Sequence, residues 1–255
     1  MGWPAWQARP RRTSVRGRVE SDGGLRDVEA MPDLDVCLRP TWFIDSDAAP
    51  VREFAERAAG DARTDVEKAV ALYYAVRDGV RYDPYAISAE RGSYRASTVA
   101  TLPAAYCIQK SILYAATARA VGVPTRLGFA DVRNHLTSAK LRATMGSDLF
   151  IYHGYTELYL EERWVKATAV FNVELCRRFG VLPLEFDGRS DSLFHPFDAE
   201  NRRHMEYVRS RGSFVDFPFD EVMAAFRSEY RSLFGNGARD TIRDELFRPE
   251  ATGRN

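Results

Sequence analysis

The apolar positions fall into helical spacing in the first half of the patterned chain and into strand alternation in the second. Asp47 precedes Ala48-Ala49-Pro50, an N-cap followed by an early-turn proline, which predicts a helix running to a stop at Gly60. Thr64-Asp65-Val66-Glu67 is a capping box. The helix it opens should present Val66, Val70, Tyr73 and Tyr74 on one face and end at Gly79. Val80 to Tyr85 is then extended, because Asp83 precedes Pro84 and is pushed away from helix. Tyr106 to Val121 is the most apolar helix, closed by Gly122 and Pro124. After it, Thr125–Val132, Ile151–Leu160 and Trp164–Val170 alternate as strands. Asp220 should cap a last helix with Val222, Phe226, Tyr230 and Leu233 as its apolar stripe. Helices first and a short antiparallel sheet afterwards predict an α+β fold rather than a doubly wound sheet.

Residues 1–30 lack either period and read as a disordered tail or a start-site extension, since Met31 begins the first patterned segment. A folded unit is expected over 31–235 and a flexible tail over 236–255. Lys and Arg total 36, as do Asp and Glu, so the chain lacks the electrostatic footprint of a nucleic-acid binder. No segment approaches the roughly 18 consecutive apolar residues of a membrane span. Arg11-Arg12 is followed by no apolar run that would make it an export signal, which points to a cytoplasmic protein. Three scattered cysteines, Cys37, Cys107 and Cys176, form neither a disulfide framework nor a zinc-type pair, and no phosphate-binding glycine motif occurs. No cofactor or metal is therefore expected.

Cys107 is the cysteine placed for reactivity. It begins the apolar helix just after Pro103, where free N–H groups and the positive end of the helix dipole face its sulfur. Such a position lowers a thiol pKa from about 8.5 toward neutrality, more so beside a histidine. His153, inside the strand Ile151–Leu160, is the matching base. Cys37 and Cys176 read as buried structural thiols.

In that setting two blocks of the chain resemble the transglutaminase-like superfamily of papain-related thiol enzymes. One is Cys107-Ile108-Gln109-Lys110-Ser111 with its helix through Arg119-Ala120-Val121-Gly122-Val123-Pro124-Thr125-Arg126; the other runs from His153 through Trp164 and Val165. The resemblance implies a nucleophile helix packed on a short antiparallel sheet, with extra helices toward the C-terminus. It implies that Cys107 attacks a carboxamide carbon while His153 takes the thiol proton and returns it to the leaving amine. The acyl-enzyme then passes to water, as in a peptidase or amidase, or to an amine, as in cross-linking; water is the expected acceptor. The Cys107 N–H is the expected first oxyanion donor. The implied partner is a peptide or protein amide substrate, with no nucleic acid and no membrane, and the oligomeric state is left open.

The chain departs from the family pattern in two places. Ala105-Tyr106 precede the cysteine where the family has a glycine, which narrows the approach to sulfur. The orienting aspartate falls at Thr168, which brings no charge. If Glu161-Glu162 form a two-residue turn, Leu160 pairs with Arg163 and His153 lies opposite Val170, with Thr168 and Asn172 as diagonal neighbours. Either Thr168 or Asn172 then orients the imidazole. Asp131, Asn134 and His135 fall in a long segment that reads as a solvated loop or a lid. His195 and Asp187 read as turn residues, and the tyrosines Tyr73, Tyr74, Tyr82, Tyr85, Tyr94 and Tyr106 as half-buried packing. The missing aspartate motivates a second reading, a catalytically weak module that uses the same fold to bind a partner. A metal site made of Cys107, His153 and another cysteine has no supporting ligand spacing.

Overall fold

The computed structural model describes residues 33–134, 146–193 and 205–230. The expected tails over 1–30 and 236–255, and His135, His195 and Leu233, lie outside these residues. The described residues belong to one compact unit that begins at Asp33.

Helix α1 (Ala49–Ala59) carries its proline in the first turn and stops at Gly60, φ 50°. Its N-cap is Ala48, one residue later than the sequence suggests and without a side-chain cap. Helix α2 (Asp65–Gly79) opens on the expected capping box: Thr64 Oγ1 accepts from Glu67 N–H at 3.2 Å, and Glu67 Oε2 accepts from Thr64 N–H at 3.0 Å. Its buried face is Ala69, Leu72, Tyr73 and Val76; Val66, Val70 and Tyr74 lie at its margin. The buried stripe is thus rotated from the predicted one, because the central helix packs on that side. Strand β1 (Arg81–Tyr82) pairs in parallel with β2 (Ala104–Ala105), which leads straight into that helix. Between them lie a 3-10 turn (Arg91–Tyr94) and the short α3 (Ala96–Val99).

The central helix, α4 (Cys107–Ala120), is buried on all sides. An element enclosed in this way must satisfy its own polar groups. Lys110 does so by donating from Nζ to the carbonyls of Arg77 (2.8 Å) and Val80, closing the end of α2. Burial pushes the Lys110 ammonium down to about 7, against the opposing pull of Asp78. Arg119 binds the carbonyls of Arg39, Thr125 and Val215, and so joins α4 to the sheet.

The sheet is antiparallel, ordered β5-β4-β3-β6. Strand β3 is Thr125–Asn134, β4 Leu149–Leu160, β5 Arg163–Ala167 and β6 Met205–Phe214. Leu160 pairs with Arg163 as expected. Glu161 and Glu162 both have left-handed φ (47° and 63°), the requirement of a type I′ turn, although neither residue favours it. Strand β5 ends at Ala167, so Thr168 and Val170 leave the ladder and the expected pairing of His153 with Val170 does not form. Instead Thr168 N–H bonds the Ser192 carbonyl at 2.8 Å. Asp131 lies within β3, as the strand expected over Thr125–Val132 has it, and Asn134, expected in a loop, ends the longer strand. Strand β6 has no counterpart in the sequence reading: it is an edge strand whose arginines and serines are mostly exposed, so its alternation carries no apolar signal.

Helix α5 (Val173–Phe179) begins after Asn172 and ends at a left-handed Gly180. Helix α6 (Phe219–Glu229) begins after Pro218, so Asp220 lies in its first turn rather than at its cap. Val222, Phe226 and Tyr230 are buried as predicted. One core joins α4, the sheet and α6 through Ile108, Ile112, Phe129 and Phe226. A second joins α4 to α2 through Leu72, Tyr73, Leu113, Tyr114 and Leu158.

Candidate active site

Cys107 is the first residue of α4, where a helix leaves its leading N–H groups without carbonyl partners. Gln109 turns back and its Oε1 accepts from Tyr106 N–H at 3.2 Å, while its Nε2 donates to the Ser93 carbonyl at 2.9 Å. These bonds fix the entry to the helix. The Tyr106 hydroxyl donates to Tyr94 Oη at 2.9 Å, and that phenol donates in turn to the Ser88 carbonyl.

Strand β4 crosses the start of α4 at Gly154. A Cβ at that position would lie 3.2 Å from Ile108 Cα and 3.3 Å from Ser111 Oγ, so any larger residue would push the strand and helix apart slightly. The backbone N–H groups of Gly154, Ile108 and Cys107 itself all favour the thiolate. Farther along the contact, Thr156 Oγ1 donates to the Ser111 carbonyl at 3.0 Å. An isolated glycine in a strand pattern is the signal that marks such a contact in sequence.

Cys107 and His153 line one cavity of about 20 Å³, enough for a single water. Tyr82, Pro84, Ile87, Tyr106, Phe150, Phe226 and Tyr230 also line it. Tyr230 latches α6 to the start of β4: its hydroxyl accepts from Ile151 N–H at 2.7 Å and donates to the Leu149 carbonyl at 3.0 Å. Cys107 is 8% exposed and His153 2%. Phe171 stacks on the imidazole at 6.2 Å between centroids and 21° between planes.

Burial dominates the electrostatics. It pushes the Cys107 thiol up to about 11 despite the three N–H groups. The expectation of a thiol shifted toward neutrality is therefore corrected: desolvation outweighs the helix terminus. Burial likewise drives the His153 imidazole down to about 4. So buried, both groups are neutral near pH 7.

Thr168 and Asn172 are buried but do not line the cavity. Asn172 Oδ1 accepts from Tyr82 N–H at 3.1 Å, and Tyr82 packs edge-on against Phe171. Thr168 Oγ1 has no hydrogen-bond partner among the described residues. Cys37 and Cys176 are buried free thiols away from the cavity. Asp187 is the turn residue expected, its Oδ1 accepting from the N–H groups of Arg189 and Ser190. Among the described residues no cluster of ligating side chains is arranged to hold a metal, and no helix is long and apolar enough to cross a membrane.

Comparison with known proteins bears on the same region. The family model described as the transglutaminase-like superfamily matches residues 52–169, a span that includes α2, α4, β3, β4 and β5. No curated protein matches the chain. Among solved structures, one titled a "putative cysteine protease" from Cytophaga hutchinsonii is 18% identical over 73% of this chain and 55% of its own, with a TM-score of 0.43. A TGase structure is 15% identical over 57% of this chain and 34% of its own, with a TM-score of 0.35. The chain thus spans about half of the first and a third of the second.

Proposed function

We propose that the transglutaminase-like core at residues 52–169 is a thiol acyl-transfer centre acting on a carboxamide of a peptide or protein. The observation that carries this reading is the meeting of Cys107, at the start of α4, and His153 at one cavity. In the reaction the Cys107 S–H proton passes to an imidazole nitrogen of His153 as sulfur attacks the carbonyl carbon. The carbonyl π electrons move to oxygen, and the helix-start N–H groups of Cys107 and Ile108 stabilise the oxyanion. Collapse re-forms the carbonyl, breaks the C–N bond and returns the proton from His153 to the leaving amine. Water then adds to the thioester, losing its proton to His153. Collapse releases the acid, and the proton returns to sulfur.

Water is the acceptor this reading takes, since Cys107 and His153 share a water-sized space. Thr168 and Asn172 are the two groups proposed to orient the imidazole. Asn172 already commits its Oδ1 to Tyr82, whereas Thr168 keeps a buried hydroxyl available. The burial of both side chains and the raised thiol pKa favour a second reading, a module that keeps the fold to bind a partner.

One experiment separates the two. The protein is incubated with a peptide library and its intact mass followed. An acyl adduct that disappears in Cys107→Ser supports the enzyme. Absence of any adduct, together with iodoacetamide labelling of Cys107 only at strongly alkaline pH, supports the binding module.

A further inference from the structure

Immediately before His153 the β3–β4 ladder loses step. Pairing is regular from Thr125 opposite Leu158 to Ala130 opposite His153, and it resumes with Val132 opposite Phe150. Asp131 alone therefore faces two residues of β4, Ile151 and Tyr152, which is a β-bulge on the histidine strand. Tyr152 has φ 53°, a left-handed conformation that a bulky residue adopts only under constraint.

The constraint comes from three other elements. Asp131, 2% exposed, accepts the Tyr152 N–H on Oδ1 at 3.1 Å. Its carboxylate is fixed in turn by two arginines of β6: Arg209 Nε lies 2.9 Å from Oδ2, and Arg211 reaches both oxygens at 2.8 Å. The Arg211 guanidinium lies over the Tyr152 ring, 4.5 Å from its centroid. At the far end of that ring the hydroxyl donates to Glu221 Oε1 of α6 at 2.6 Å. If the bulge flattened, the residues on one side of the break would turn to the opposite face of the sheet, and His153 stands at that break.

We infer that Asp131 is a positioning residue for His153: by holding the left-handed Tyr152 peptide it fixes the bulge that brings the imidazole into the Cys107 cavity. This rests on the acyl-transfer reading, in which His153 activates Cys107.

The test is the second-order rate of Cys107 alkylation by iodoacetamide near neutral pH, with the site identified by peptide mapping. His153→Ala measures the imidazole contribution and tests the acyl-transfer reading itself: no loss of rate overturns that reading. Given a loss there, Asp131→Ala should slow alkylation about 10-fold or more, since displacements near 1 Å carry such effects. Asp131→Asn keeps an acceptor for the Tyr152 N–H and should remain within about threefold of the parent by the same reasoning. Adding Tyr152→Gly to Asp131→Ala should restore the rate, because glycine takes positive φ without help. In the His153→Ala background Asp131→Ala should add nothing. An Asp131 effect that persists without His153, or that Tyr152→Gly fails to rescue, overturns the proposal. Should Asp131→Ala not fold, Tyr152→Val replaces it: a β-branched residue resists positive φ, so the same loss is expected with Asp131 intact, and a parental rate overturns the inference.

Discussion

The thiol and the imidazole reach their shared cavity from two different kinds of backbone. Cys107 begins an unbroken helix whose entry is fixed first by a residue of its own first turn, Gln109, which accepts from Tyr106 N–H. His153 follows a bulged, left-handed stretch of strand held by Asp131, Arg211 and Glu221, all remote in sequence. The contrast separates two ways of building a site: local hydrogen bonding gives an orientation that any such helix start provides, whereas long-range clamping gives one that exists only in the assembled fold. The histidine side should therefore be the fragile one.

The strongest way to break this pairing is at Gly154, where the two sides touch. Gly154→Ala places a Cβ 3.2 Å from Ile108 Cα, a backbone atom that cannot swing aside. Strand and helix must separate, at about 1–3 kcal/mol of stability for the overpacking. Cys107 alkylation should fall about 10-fold if the imidazole is carried away with the strand. Urea unfolding and iodoacetamide kinetics measure the two effects, and a stable variant with unchanged kinetics would show that Gly154 does not set the distance.

The imidazole side also leaves a signature in acid. His153 is neutral in the folded protein, with its pKa lowered from 6.5 to about 4 by burial. The unfolded chain therefore takes up a proton that the folded chain refuses between those values, and stability falls as pH drops through that window. The full effect at pH 4 is on the order of 3 kcal/mol. In His153→Gln the slope of unfolding free energy against pH from 6.5 to 4 should flatten by that amount. A slope identical to the parent's would place the acid sensitivity elsewhere.

The difference between the two sides also decides what can be read from the chain. The capping box at Thr64, the proline-led start of α1 and the start of α4 at Cys107 rest on neighbouring residues, and the sequence expresses each directly. The direction of the thiol shift is not legible there, because burial under α6 is a tertiary fact, set by Phe226 and Tyr230 more than a hundred positions away. Strand β6 is hidden for another reason: an exposed edge strand rich in arginine has no apolar alternation to display. The bulge at Tyr152 is equally silent, since its determinants lie on three separate elements and tyrosine is not a residue that announces positive φ. Register in the β4–β5 hairpin is legible from loop length alone, even with turn residues that disfavour it.

A smaller perturbation tests how α6 closes the site over both groups. Tyr230→Phe keeps the ring but removes the bonds to Ile151 N–H and the Leu149 carbonyl, leaving both β4 groups without that partner. A loss of about 2 kcal/mol is expected. Loosening the latch admits water to the sulfur and relieves the desolvation that raises its pKa, so Cys107 should alkylate several-fold faster while the core stays folded. A slower rate would mean that Tyr230 assists the thiol rather than covering it.

The smallest effect sharpens the contrast at the opposite end of the histidine strand. Glu161 and Glu162 sit in left-handed conformations that ordinary residues adopt at a cost of about 1 kcal/mol or more each. The double substitution Glu161→Asn with Glu162→Gly supplies the residues a type I′ turn prefers. The change also removes the Glu161–Arg189 ion pair, 3.0 Å long but exposed on both sides and so worth little. The net expectation is a gain of about 1 kcal/mol in urea unfolding, with Cys107 alkylation unchanged. Both strained segments adjoin the same strand, yet only one lies beside the imidazole. Strain relieved at the hairpin should therefore appear in stability alone, while strain disturbed at Tyr152 should appear in reactivity. A hairpin variant that altered the alkylation rate would mean that β4 transmits its geometry along its whole length, and the bulge would lose its separate role in aiming His153.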